Sequence, residues 1–495
     1  MIFGGAGFAF FFPLVWLLHW LAPRRAASQN GVLLAASYAF IWSWNPKLLA
    51  VFVLSTAVNF LVALRLEPLD GAAASDPGQA RRVRRALAFG IGWDLLQLVV
   101  FKYLGFFATS LNELLGVIGV SARLPVVRVV ALVGLSFWTL TKIGYLIDVQ
   151  YGRIRACRSP LAFATFVAFF PQLMAGPIVR GRTLLPQYEA PRALTLDAVR
   201  SGAGLFFLGF FMKFYVADYL GHWIVDPVFT NPAKWNALSH WLALVGFAVQ
   251  VFDDFAGYSF MALGLGRLLG IELPLNFDHP FRARGLMELW RRWHITLNNW
   301  LFDYLYYPLT TSQGVFRGKL DLGFLVVFAV SGLWHGATWM FVLWGALQGL
   351  GLTAQRRWDE RMKQLCRKDR AWVARRKSDP YALAAWALTM TFFVLSLVPF
   401  RAPTASAATS FAKGLVGLQG SRFVVQGGAA TYFNLLVCFG FVAVYHLLDL
   451  ERLRVWRERL FALPAPLRGF AYGLVIVFLL VFMPVGAGTF IYANF

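Results

Sequence analysis

The stretch Leu322–Leu350, LGFLVVFAVSGLWHGATWMFVLWGALQGL, decides what kind of molecule this is. It runs for 29 residues without an Asp, Glu, Lys or Arg. A helical span of a bilayer takes about 20 apolar residues. The run therefore reads as two short membrane spans, broken near its glycines.

The rest of the chain agrees. Its 495 residues are 59% hydrophobic and 17% aromatic, and only 14% are charged. Soluble domains carry about 25% charged residues. Too little polar surface remains to cover a water-soluble globule. That excludes a cytosolic enzyme, a nucleic-acid-binding domain, a disordered chain and a small disulfide scaffold. Long continuous apolar runs also argue against a barrel, whose strands alternate. The class is an all-α polytopic membrane protein embedded in a lipid bilayer, and 1–495 reads as a single integral membrane domain. The net charge of +22, from 46 Lys+Arg against 24 Asp+Glu, reads as basic loops retained on the cytoplasmic side, with no nucleic-acid partner. Cys157, Cys366 and Cys438 are far apart and fit no metal-ligand spacing. No metal site is expected.

Basic clusters fix the expected topology, with 65–85 and 355–380 as cytoplasmic basic segments. Between the clusters, apolar runs leave and return: Phe8–Leu21, then Gly31–Trp44 and Leu48–Leu64 turning at Asn45-Pro46, then Ala86–Val100 and Val129–Ile147. Gly202–Phe214 and Trp241–Phe252 follow, joined by an outer loop around His222–His240. Tyr381–Phe400, Tyr432–Leu448 and Phe470–Ile491 complete about twelve spans. Asp70–Arg85 reads as a solvated loop. Phe163–Met174, which contains Pro171 and is followed by Pro177, reads as re-entrant, because proline breaks a helix.

Ionisable side chains at membrane depth are costly and mark function. His335 is the first candidate, in Ser331-Gly332-Leu333-Trp334-His335-Gly336-Ala337. Gly332 and Gly336 leave room beside it for a ligand or another backbone; the bland alternative is helix packing. His294 is the second, in Trp290-Arg291-Arg292-Trp293-His294. Around it, Leu286, Leu289, Trp290, Trp293, Leu297, Trp300, Leu301 and Tyr304 form one apolar stripe of a helix. Arg291, His294 and Asn298 share another face, and Asn299 and Asp303 a third. An interfacial helix in the aromatic belt would explain the tryptophans and arginines, but not Asn298, Asn299 and Asp303. Asp253-Asp254, followed by Tyr258, ends an apolar span and either faces water or serves a site. The remaining histidines, His19, His222, His240, His279 and His446, read as structural or interfacial.

Together and in this order, these motifs resemble the membrane-bound O-acyltransferase (MBOAT) family, in the bacterial branch typified by the alginate O-acetylation membrane protein, with the teichoic acid D-alanyl transferase as a cousin. The matching stretches are Phe8–Leu18, Gly134–Phe137, Tyr145–Val149, Phe170–Arg180, Asp254–Gly264, Asn276-Phe277, Trp290–Thr296, Trp300–Leu309 and Gly332–Ala337. Residues 130–350 then correspond to the catalytic core. The chain departs from the alginate-type pattern at Ala256, Phe260, Phe302 and Thr310-Thr311-Ser312-Gln313.

The resemblance implies helices around a central funnel and acyl transfer through the bacterial inner membrane. A cytoplasmic thioester, acetyl-CoA, donates; no cofactor is tightly bound. An extracytoplasmic polysaccharide hydroxyl, or a periplasmic acetylesterase-like relay protein, accepts. On this reading His335 is the general base, while His294 and Asn298 polarise the thioester carbonyl. Arg291 and Arg292 meet the donor's phosphates. Asn299, Asp303, Asp254, Tyr258 and Trp334 line the binding path. The alternatives are D-alanyl or other acyl transfer, a transporter of a polymer or lipid-linked sugar, and a scaffold of an export complex.

Overall fold

A computed structural model describes residues 3, 5–66, 77–121, 123–126, 134–311, 314–425, 428–448, 459 and 462–482. Among the described residues the chain is nearly all helix, with a single isolated bridge between Trp235 and Arg422. Among the described residues five helices are long and apolar enough to cross a membrane: Pro46–Ala63, Pro77–Val117, Leu196–Thr230, Asp379–Arg401 and Ala429–Leu447. Gly7–Leu21 and Leu320–His335 are shorter apolar helices. The protein is a multi-pass membrane protein.

Several expected boundaries move. The segment from Pro77 is already helical, so Arg81–Arg85 ride on a helix rather than a loop; residues 67–76 lie outside the described residues. That helix does not stop at Val100. It passes through a π-helical turn, Val99–Tyr103, and continues to Val117. The outer loop expected at His222–His240 shrinks to a short connection. Helix persists through a second π turn, Phe211–Ala217, and a third, Gly221–Val225, to Thr230, and the next helix begins at Ala237. Polar residues survive in that helix because many face protein rather than lipid: His240 and Ser239 are fully buried. The last span is helical over Ala465–Phe482, and its expected continuation to Ile491 lies outside the described residues.

The chain forms two compact units. The first comprises residues 1–207, 259–275 and 299–305. Asn45 caps its helix Pro46–Ala63 by accepting from the Lys47 N–H, and Pro46 fills the first turn, where a missing N–H costs nothing. Its helices Pro46–Ala63, Pro77–Leu98 and Leu135–Gln150 share a buried polar knot. Lys142 Nζ lies 2.6 Å from Asp94 Oδ1 with both side chains fully buried, and Lys142 also bonds Ser55. The Phe163–Met174 segment is buried almost throughout. Its helix Pro160–Ala168 breaks at Phe169, and a single turn follows with Pro171 near its start.

The second unit comprises residues 208–258, 276–298 and 306–495. Its centre is the hairpin of helices Leu320–His335 and Trp339–Lys368. The run Leu322–Leu350 does fall on two helices, with the break at Gly336–Thr338. The glycines let the backbones touch. A Cβ on Gly332 would fall 2.1 Å from the Phe341 carbonyl oxygen, and one on Gly345 would fall 2.0 Å from that of Phe328. Small residues allow such close approach between membrane helices. The second helix runs on into a basic segment. There Arg356 and Arg357 hold Asp321, at 2.7 and 3.0 Å, and Arg370–Lys377 forms a further helix.

Candidate functional site

His335 is the last residue of its helix, at the corner of the hairpin rather than inside a continuous span, and is 5% exposed. The space left by Gly332 and Gly336 is taken by protein: a Cβ on Gly336 would strike the Phe341 ring. The His335 ring is walled by Trp344 at 5.2 Å and Phe400 at 5.5 Å between centroids.

His294 sits at a break. The expected stripe is indeed buried, from Leu286 to Tyr304, but it is not one helix. Helix Leu286–Arg292 ends, the chain bends at Trp293-His294, and helix Ile295–Leu301 begins, followed by a π turn, Phe302–Tyr306. The cause is local. His294 has φ 46°, in the left-handed region, which L-residues other than glycine adopt at a cost. Asn298 stabilises the bend: its Nδ2 donates to the carbonyls of Trp293 (2.6 Å) and His294 (3.2 Å). That commits the amide group expected to polarise a carbonyl.

A neighbouring segment holds the imidazole. Asn276 Oδ1 accepts from His294 Nδ1 (3.1 Å), from the Thr296 N–H (3.2 Å) and from the Thr296 hydroxyl (2.8 Å). A backbone N–H can only donate, so this oxygen is an acceptor and His294 carries its proton on Nδ1. The neutral ring then presents Nε2 as an acceptor. Burial, and then the charge of nearby His335, push the His294 imidazole well below the ordinary histidine range. Phe255 stands edge-on to it at 4.6 Å. The Trp334 indole adjoins both imidazoles, at 6.0 Å from His294 and 5.0 Å from His335. The second unit thus brings His294, His335 and Trp334 together, two motifs about forty residues apart in sequence.

The other expected residues divide. Asp253 and Asp254 do not face water at a helix end; they lie mid-helix, 0% and 1% exposed. Asp254 pairs with Lys213 at 2.5 Å, and Lys213 also holds Asp218 at 2.7 Å. Lys213 was not singled out from the sequence. Its signal was there: a lysine inside an apolar run is expensive unless paired. Tyr258 is buried, 4% exposed. Arg291 is exposed, whereas Arg292 is engaged by Glu288 (3.0 Å) and Asp278 (3.3 Å). Asn299, exposed, and Asp303 belong to the first unit. There Asp303 pairs with Arg180 at 3.1 Å, and Arg180 covers the Tyr304 ring at 4.2 Å.

Comparison with known proteins gives this constellation a family. The family model described as MBOAT, membrane-bound O-acyltransferase family, matches residues 126–398. The protein named probable alginate O-acetylase AlgI in Azotobacter vinelandii is 38% identical over 360 residues, 72% of this chain and 69% of its own. The peptidoglycan O-acetyltransferase of Helicobacter pylori is 31% identical over 414 residues, 78% and 74% of the two chains. A teichoic acid D-alanyltransferase of Streptococcus thermophilus is 30% identical over 248 residues, 48% and 59% of the two chains. The matched segment contains both His294 and His335, and the chain belongs to the membrane-bound O-acyltransferase family and is an acyltransferase.

Proposed function

We propose that this acyltransferase O-acetylates an extracytoplasmic polysaccharide from the bacterial inner membrane, using a cytoplasmic acyl thioester such as acetyl-CoA. The observation that carries the reading is the buried pair His294 and His335, both adjoining Trp334. The O-acetylases among the relatives, aligned over most of their length, favour acetyl over D-alanyl transfer.

In the proposed step an acceptor hydroxyl oxygen attacks the thioester carbonyl carbon. His335 takes the hydroxyl proton, the carbon–sulfur bond breaks, and the proton passes to the departing thiolate. An ester and a thiol result. His294 stays neutral. Two positive imidazoles in one buried site repel, so the pair takes up only one extra proton at a time. Polarising the carbonyl needs a donor, and the one N–H of neutral His294 is already given to Asn276. That role therefore does not fall to His294, nor to Asn298, which acts by fixing the bend. Arg291, with exposed Arg282 and Arg284, meets the donor's phosphates; Arg292 is held by Asp278 and Glu288. A periplasmic relay protein receives the acetyl group where the polymer does not receive it directly.

The test is transfer of radiolabelled acetyl from acetyl-CoA into polysaccharide by the purified protein in proteoliposomes, with and without a periplasmic fraction. Label in alkali-labile ester on polymer or on a periplasmic protein is the expected result. Thioester hydrolysis without any acylated product, or transfer only of an aminoacyl group, would overturn the reading.

A further inference from the structure

We infer that helix Ala429–Leu447, which lies beyond the family-matched segment, is part of the catalytic unit, and that its Tyr445 acts through His279 as a positioning residue for His294. The inference rests on the proposed role of the His294 site.

Among the described non-glycine residues only two have positive φ, His279 and His294, both at 46°. Sparsely populated backbone conformations are costly and persist only where the surroundings over-determine them. The two histidines flank helix Leu286–Arg292 and are joined by a clasp. The Asp278 N–H donates to the Arg292 carbonyl at 2.9 Å, and the Ile295 N–H to the Asn276 carbonyl at 2.9 Å. The Asn276 side chain is the one that orients His294. Whatever fixes residues 276–279 therefore fixes where the His294 ring stands.

His279 is pinned from two directions. Its Nδ1 donates to Asp278 Oδ1 at 2.9 Å, and the same carboxylate takes Arg292. Its ring lies parallel to that of Tyr445, 4.7 Å away and inclined by 12°. The next residue of the helix, His446, stacks on Phe281 at 4.7 Å. His446 is fixed in turn by donating Nδ1–H to the Val442 carbonyl at 2.8 Å. His279, Tyr445 and His446 are all buried, so this second histidine pair supports the clasp rather than touching substrate. An apolar residue in relaxed backbone could fill the same space; a left-handed histidine held by a carboxylate and a parallel ring specifies a position.

The test compares wild type with Tyr445→Leu, Tyr445→Phe and His279→Gly, the last keeping the backbone conformation without the ring. Acetyl transfer is measured per unit of monodisperse protein, with kcat and donor KM separated. Small misplacements of reacting groups cost up to about 100-fold in rate. We expect Tyr445→Leu and His279→Gly to lower kcat about 10- to 100-fold with donor KM within about twofold. Tyr445→Phe, which keeps the stacked ring, should restore the rate. If Tyr445→Leu and His279→Gly turn over like wild type once normalised for protein, the inference falls. It falls equally if Phe is as slow as Leu. Should one variant fail to accumulate, the other carries the test. A wild type that transfers no acyl group under any condition would instead sink the proposed function, which separates the two failures.

Discussion

Gly332 faces the carbonyl oxygen of Phe341 so closely that a single Cβ would sit 2.1 Å from it. The hairpin that carries His335 is therefore closed at this point by backbone contact. Gly332→Ala should destabilise the protein by about 1–3 kcal/mol, the range for overpacking a tight core. Gly204→Ala, mid-helix with nothing within 4 Å, should be neutral or stabilise by up to about 1 kcal/mol. Thermal unfolding in detergent of both variants checks this; equal midpoints would mean that the hairpin opens easily.

His335→Ala and His335→Gln separate basicity from hydrogen bonding. Both should accumulate, and acyl transfer should fall about 10²–10⁴-fold in each. Ester formed per unit of purified protein is the readout. Substantial activity in the Gln variant would remove the general-base role.

The buried His294 makes a pH signature. Its folded-state pKa is depressed from 6.5 by burial and by His335, while the unfolded chain protonates near the ordinary value. Above 6.5 the neutral ring costs nothing; below it the unfolded state binds the extra proton and stability is lost as pH falls. Asn tolerates left-handed backbone and does not titrate, so the His294→Asn variant should lose less stability between pH 7.5 and 5.5 than wild type. Parallel unfolding midpoints at the two pH values would contradict the burial of a neutral ring.

Lys213 neutralises Asp254 and Asp218 in a buried setting. Breaking a buried pair from one side typically costs 3–5 kcal/mol, so Lys213→Met should reduce stability by about that much. Adding Asp254→Asn should recover part of the loss. A double variant no better than the single one would show that the pair is not the unit of stabilisation.

Topology gives a further check. Ala233 lies in the short exposed connection before Ala237, and Lys363 lies on the exposed basic helix. In a Cys366→Ser background, Ala233→Cys should react with an impermeant maleimide on intact cells, and Lys363→Cys only after permeabilisation. The reverse pattern would place the donor on the other side.

Much of this was legible in the chain. The stripe from Leu286 to Tyr304 announced its burial, since apolar spacing reports which face is covered. Spacing is silent about φ, so the left-handed bend at His294 was invisible, and Asn298 looked like a face-mate of His294 rather than the group closing the bend. The glycines beside His335 marked a close approach without saying what approached; it is Phe341. His279 looked like an ordinary interfacial histidine because the residues it meets, Tyr445 and His446, lie some 170 residues away. Lys213 and Lys142 were readable as charges in apolar runs, but only the fold shows which carboxylates they meet.

The π-helical turns have a consequence for chain length. Each holds one residue more than an α-helical turn would, and Phe302–Tyr306 carries Asp303 on such a turn. Removing that extra residue would close the turn to a regular α-helical one, leaving the flanking segments in register but turning the residues carried on the bulge itself. Asp303 would then leave Arg180. A homologue one residue shorter at this point must therefore also place its arginine differently, so a gap at 302–306 in an aligned sequence marks a rebuilt ion pair rather than a trimmed loop.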